Sequence, residues 1–99
     1  MDRMKIKNNA KEKIDDIFDK LDQLEKSADR VTEEHKEKLN REMNDMRKSK
    51  DTLSDLYDNL LEASEDSLRY LKNAFDQMSN VMIKRIETIR KSYKGTLEV

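Results

Sequence analysis

The chain has no cysteine, no proline and no tryptophan, and its single glycine is Gly95. Without cysteine there is no disulfide framework and no thiolate metal cluster. Without proline, and with no glycine before position 95, nothing in the chain forces the backbone out of helical geometry. The same shortage excludes a glycine-rich phosphate loop. With His35 as the only histidine, no serine nucleophile has a histidine set to serve it. Long apolar runs are missing too. The longest is Val81 to Ile83, against the roughly 20 residues that a membrane-spanning helix needs. Met1 to Asn9 is basic and polar with no apolar stretch behind it. No secretory signal is therefore expected, and a cytoplasmic location is the default expectation.

Charge and periodicity are what the chain does have. Charged residues make up 43% of its 99 positions and hydrophobic ones 34%, a mix typical of long helices and coiled coils. A disordered chain of this composition would lack periodic large apolar residues. Here they recur in steps of three and four: Ile6, Ala10, Ile14, Ile17, Leu21, Leu24, Ala28, Val31, His35, Leu39, Met43 and Met46. The ladder resumes at Leu53, Tyr57, Leu60, Ser64, Leu68, Leu71, Phe75, Met78, Met82, Ile86, Ile89 and Tyr93. Such steps place side chains on one face of a helix. Reversed, the second run matches the first, pairing Met46 with Leu53, Leu39 with Leu60, Leu24 with Phe75 and Ile6 with Tyr93.

This match predicts an all-α fold of one domain, an antiparallel two-helix coiled-coil hairpin. Helix 1 would cover about 3–48, the turn 48–52 and helix 2 about 52–94, leaving a frayed tail at 95–99. Cations gather before the turn, where a helix C-terminus favours them, and Asp51, Asp55 and Asp58 follow it, where an N-terminus favours anions. Thr52 with Asp55 approximates a capping box. Two alternatives stand beside the hairpin. Turns within Ser27–Glu34 and Ala63–Ser67 would give three helices of about thirty residues each. An unbroken helix would give a parallel coiled coil. Because two helices form a single seam and leave their flanks wet, the hairpin is expected to dimerise into a four-helix bundle. The expected interface is a second stripe that includes Leu56, Leu60, Ala63, Tyr70, Ala74 and Val81.

Charge placement suits the hairpin. Residues 51–68 carry six acids and no cation, and would lie beside the basic stretch 36–50. At the free end, Lys84, Arg85, Arg90, Lys91 and Lys94 would lie beside Arg3, Lys5, Lys7, Lys11 and Lys13. This predicts a basic pole on a chain of net charge -1, able to touch an anionic membrane surface. No nucleic-acid-binding motif accompanies these charges, so sequence-specific nucleic-acid binding is not expected.

Little else carries chemistry. His35 is expected to face Ser64 as a polar layer that sets register. A metal site there would need other ligands, and the Glu-x-x-His pairing of di-iron bundles is absent because Thr32 stands three residues before His35. Acid pairs such as Asp15-Asp16, Glu33-Glu34 and Glu65-Asp66 read as solvated helix surface. Met43, Met46, Met78 and Met82 read as adaptable core. No catalytic, cofactor-binding or metal-binding residue is assigned, and no enzyme is expected.

The stretch Leu21 to Ile89 resembles a family of small bacterial coiled-coil proteins often labelled stress-response proteins. The matching features are Leu21 to Ala28, then Leu39 through Met43 leading to Met46-Arg47-Lys48-Ser49-Lys50-Asp51. The sharpest is Leu61-Glu62-Ala63-Ser64-Glu65-Asp66-Ser67, followed by Leu68, Leu71-Lys72 and Ala74-Phe75. The resemblance implies a helical hairpin associated with stress and transfers no catalytic residue. The functional expectation is a non-catalytic structural or protein-interaction module, self-associating or bound to a helical protein partner. The alternative is a peripheral binder of anionic membrane or unfolded clients.

Overall fold

The computed structural model describes residues 2–29 and 31–93. It contains three helices: α1 (Arg3–Ala28), α2 (Glu33–Glu62) and α3 (Glu65–Ser92). No strand occurs among the described residues. Each helix packs against both others in an up-down-up bundle measuring 49 × 20 × 16 Å. Its length fits a 30-residue α2 at about 1.5 Å per residue.

The two-helix hairpin is therefore corrected. The backbone runs straight through 48–52 as the middle of α2. The reason lies in phase: Met46 and Leu53, both fully buried, are seven residues apart, which is two helical turns on one face. A reversal between them would waste that alignment. Thr52 does not cap a helix start, because its hydroxyl donates to the Lys48 carbonyl one turn back at 3.2 Å. Lys50 is half-buried and lays its ammonium 4.8 Å from the Phe18 ring centre, within cation–π range.

The chain reverses at the two flanking sites instead. Asp29 closes α1, the Val31 amide donates back to the Ala28 carbonyl at 3.3 Å, and Thr32 is the extended residue before α2. At the second turn, Ala63 and Ser64 are both extended, and the Ser64 carbonyl accepts from the amides of Ser67 and Leu68. Glu33 and Glu34 open α2, and Glu65 and Asp66 open α3, where anions complement the helix dipole. Buried Val31 and Ala63 seal the turns against the core.

Nearly all the ladder positions are core, but their partners differ from those of the hairpin. Ile6 to Ala28, Val31, Leu39, Met43, Met46, Leu53, Leu60, Leu68, Phe75, Met82, Ile86, Ile89 and Tyr93 join one buried cluster. Met46 and Leu53, and likewise Leu39 and Leu60, share a helix rather than facing each other. Ile6 and Tyr93 lie at opposite ends, since α1 and α3 run parallel. Leu24 likewise lies several turns from the level of Phe75. The two polar members of the ladder, His35 and Ser64, do not meet. Each is exposed, one in the first turn of α2 and the other at the residue just before α3. They mark the two reversals.

A third helix also meets the need that suggested dimerisation. It covers apolar flanks that two helices leave wet, within a single chain.

Candidate functional site

The helix register follows from contacts between named residues. Lys13 on α1 reaches Asp76 on α3 at 3.1 Å, Arg47 on α2 reaches Glu25 on α1 at 3.0 Å, and Arg85 on α3 reaches Asp45 on α2 at 3.7 Å. One ion pair thus crosses each helix interface; the other ion pairs among the described residues lie within single helices at spacings of three or four. Exposed pairs of this kind contribute about 0.2–1 kcal/mol each.

This register separates the basic segments. Arg3 lies at the α2–α3 turn, donating to the Ala63 carbonyl at 2.6 Å. Arg90 and Lys91 sit at the other end, in the last turn of α3. The shared basic pole is therefore not formed, and Arg85 is engaged by Asp45. Lys94 lies outside the described residues. The basic start of α1 runs instead beside Glu65 and Asp66 at the start of α3. The acid-rich half of α1 runs beside the cationic half of α3. Opposite charges thus face each other at both ends of the α1–α3 interface.

A groove of about 380 Å³ lies between α1 and α3, floored by Ile6, Ala10, Leu60 and Phe75 and rimmed by Lys13, Lys72 and Asp76. Burial tends to raise the Asp76 pKa. Hydrogen bonds from Lys72 and Lys13 and the charges of both outweigh it, and hold the carboxyl below its ordinary 3.8. A depressed carboxylate bound to two ammonium groups is poorly matched to general acid–base work near neutral pH. Among the described residues, no group of three or more His, Asp or Glu side chains is arranged to hold a metal ion.

His35 faces solvent, with its ring edge-on to Tyr93 at 5.8 Å. Tyr93 is buried, and burial, followed by the charge of Glu42, raises its pKa above 10.0. This aromatic pair ties the start of α2 to the end of α3.

The expected interface stripe divides in the structure. Leu60 and Ala63 are consumed by the core, and Leu56 and Ala74 are half-buried at its margin. Tyr70 and Val81 remain at the surface, 74% and 53% exposed. They stand on a face of α3 that differs from the rest of the molecule. Between Ser67 and Ile83 the exposed residues are Ser67, Arg69, Tyr70, Asn73, Gln77, Asn80 and Val81. Arg69 alone is charged, in a chain that is 43% charged. Depletion of charge around an exposed tyrosine is the compositional mark of a protein interface.

Tyr70 and Val81 belong to the stripe expected from the sequence; Asn73, Gln77 and Asn80 beside them do not. The available signal was a dip in charge density: from Ser67 to Ile83 only Arg69, Lys72 and Asp76 are charged. No described helix is long and apolar enough to cross a membrane. Comparison with protein-family models, with curated proteins and with solved structures found no match.

Proposed function

We propose that this chain is a non-catalytic protein-interaction module that presents the charge-poor outer face of α3 to a helical partner. The supporting observation is the contrast between that face and its surroundings. Tyr70 and Val81 are exposed among Asn73, Gln77 and Asn80, whereas the outer faces of α1 and α2 are mostly charged. Desolvating amides, a tyrosine and a valine costs less than desolvating lysines and carboxylates. The bundle therefore offers one face from which water is readily removed. The separation of the two basic segments takes away the main support for the alternative of an anionic-membrane binder. The family resemblance adds a stress-linked setting to the reading.

A photo-cross-linking residue in place of Tyr70, compared with one in place of exposed Gln23 on α1, tests the reading in native extract. A discrete adduct from position 70 and none from position 23 is expected. Equal adducts from both positions, or none from either, overturn it.

A further inference from the structure

We infer that the partner of the α3 face is a second copy of this chain, docked antiparallel so that Asp66 of each copy meets Lys84 of the other. The inference rests on the interaction-module reading and names its partner.

The face has a second periodicity besides the one that builds the core. Asp66, Tyr70, Ala74, Gln77, Val81 and Lys84 follow one another in steps of four, four, three, four and three. That is the spacing of a coiled-coil seam. The inward ladder of α3 runs through Leu68, Phe75, Met82, Ile86 and Ile89, on the opposite side of the helix. So α3 carries two seams, one filled by α1 and α2 and one open. Every member of the outward seam is exposed except Ala74, which is half-buried.

The order of residues along the seam selects the occupant. It is uncharged in the middle, anionic at the N-terminal end and cationic at the C-terminal end. A parallel copy would set Asp66 against Asp66 and Lys84 against Lys84. An antiparallel copy sets each Asp66 against a Lys84 and, in the same register, each Tyr70 against a Val81 and each Ala74 against a Gln77. The seam is thus complementary to its own reverse in charge and in size, as an interface with two-fold symmetry requires. Large Tyr70 meets smaller Val81, and small Ala74 meets longer Gln77, so side-chain bulk stays level along the axis. The contact would extend about 27 Å along α3 at 1.5 Å per residue. One helix face of that length falls at the small end of specific interfaces, so the dimer should form reversibly, in the micromolar range.

The absence of native cysteine makes the test clean. Single variants Gln77→Cys and Asp66→Cys are oxidised at a concentration where wild type is dimeric by sedimentation equilibrium. Antiparallel docking brings the two copies of position 77 close together near the two-fold axis and leaves the two copies of position 66 far apart. The expected result is a disulfide-linked dimer from Gln77→Cys and none from Asp66→Cys. Charge exchange gives an independent reading. Asp66→Lys alone and Lys84→Asp alone should each weaken dimerisation at least fivefold, and the two together should restore it. Circular dichroism checks that each variant is still folded.

A wild type that stays monomeric at all accessible concentrations overturns the inference. So does a dimer in which Asp66→Cys cross-links as readily as Gln77→Cys, or one indifferent to all three charge variants. A monomer that still gives a discrete adduct with a different protein from position 70 overturns self-docking alone and leaves the interaction-module reading in place.

Discussion

The Arg3 guanidinium donates to the main-chain carbonyl of Ala63 at 2.6 Å, across sixty residues of sequence. This contact joins the first turn of α1 to the α2–α3 turn. It also satisfies a carbonyl that extended backbone at Ala63 takes out of the helical hydrogen-bond ladder. The up-down-up order puts the chain start there, and a cation at that point sits beside the acids that open α3.

Arg3→Ala should therefore lower stability by about 1 kcal/mol, the usual worth of a charge-assisted bond reduced for solvent access. Urea unfolding followed by circular dichroism measures this. Arg3→Lys should recover part of the loss, since it keeps the charge but not the guanidinium geometry.

The continuous α2 makes a sharp claim about position 49. Ser49→Pro removes a mid-helix amide and clashes with the preceding turn, at a cost of about 3 kcal/mol or more. A hairpin turning at 48–52 would tolerate proline there. Thermal unfolding of the variant separates the two, and an unchanged midpoint would contradict the straight α2.

Asp76 sets an acid limit. Its folded pKa lies below the ordinary 3.8, with the hydrogen bonds and charges of Lys72 and Lys13 outweighing burial. A depressed carboxylate adds stability above its unfolded pKa and loses it as pH falls through the folded value. Stability should accordingly fall below about pH 4. Asp76→Asn should be less stable than wild type at neutral pH and show a shallower acid slope, read from urea midpoints across the acid range.

Ser79 is fully buried, and its hydroxyl has no hydrogen-bond partner among the described residues. An unsatisfied buried hydroxyl costs about 1–3 kcal/mol. Ser79→Ala removes that cost with little change in volume, and should raise stability by about 1 kcal/mol on the same principle. A lower urea midpoint in the variant would show that the hydroxyl is needed.

Helix content, the absence of any long apolar run and most of the core were legible along the chain. Positions such as Ile17, Leu39, Phe75 and Ile86 keep three-four spacing, and only a buried helical stripe satisfies that pattern. Where the chain reverses was not legible in the same way. A three-four ladder reads almost alike in both directions, so its self-match carries no information about a turn. The better signals were local: Thr32 before Glu33-Glu34, Ser64 before Glu65-Asp66, and polar residues at ladder positions 35 and 64. His35 and Ser64 would be partners in a hairpin, but each marks a separate reversal.

The sequence by itself determined that the backbone is helical and which residues avoid water, because both follow from spacing and composition within a few turns. Tertiary structure decided which helix shields which, whether the basic segments meet, and which apolar residues remain at the surface. Those outcomes depend on the direction of α1 relative to α3. That direction follows from the two reversals, and the level at which the helices meet is marked by Arg3 at Ala63, Lys13 at Asp76 and Arg85 at Asp45. No local window of sequence contains both sides of any of these contacts.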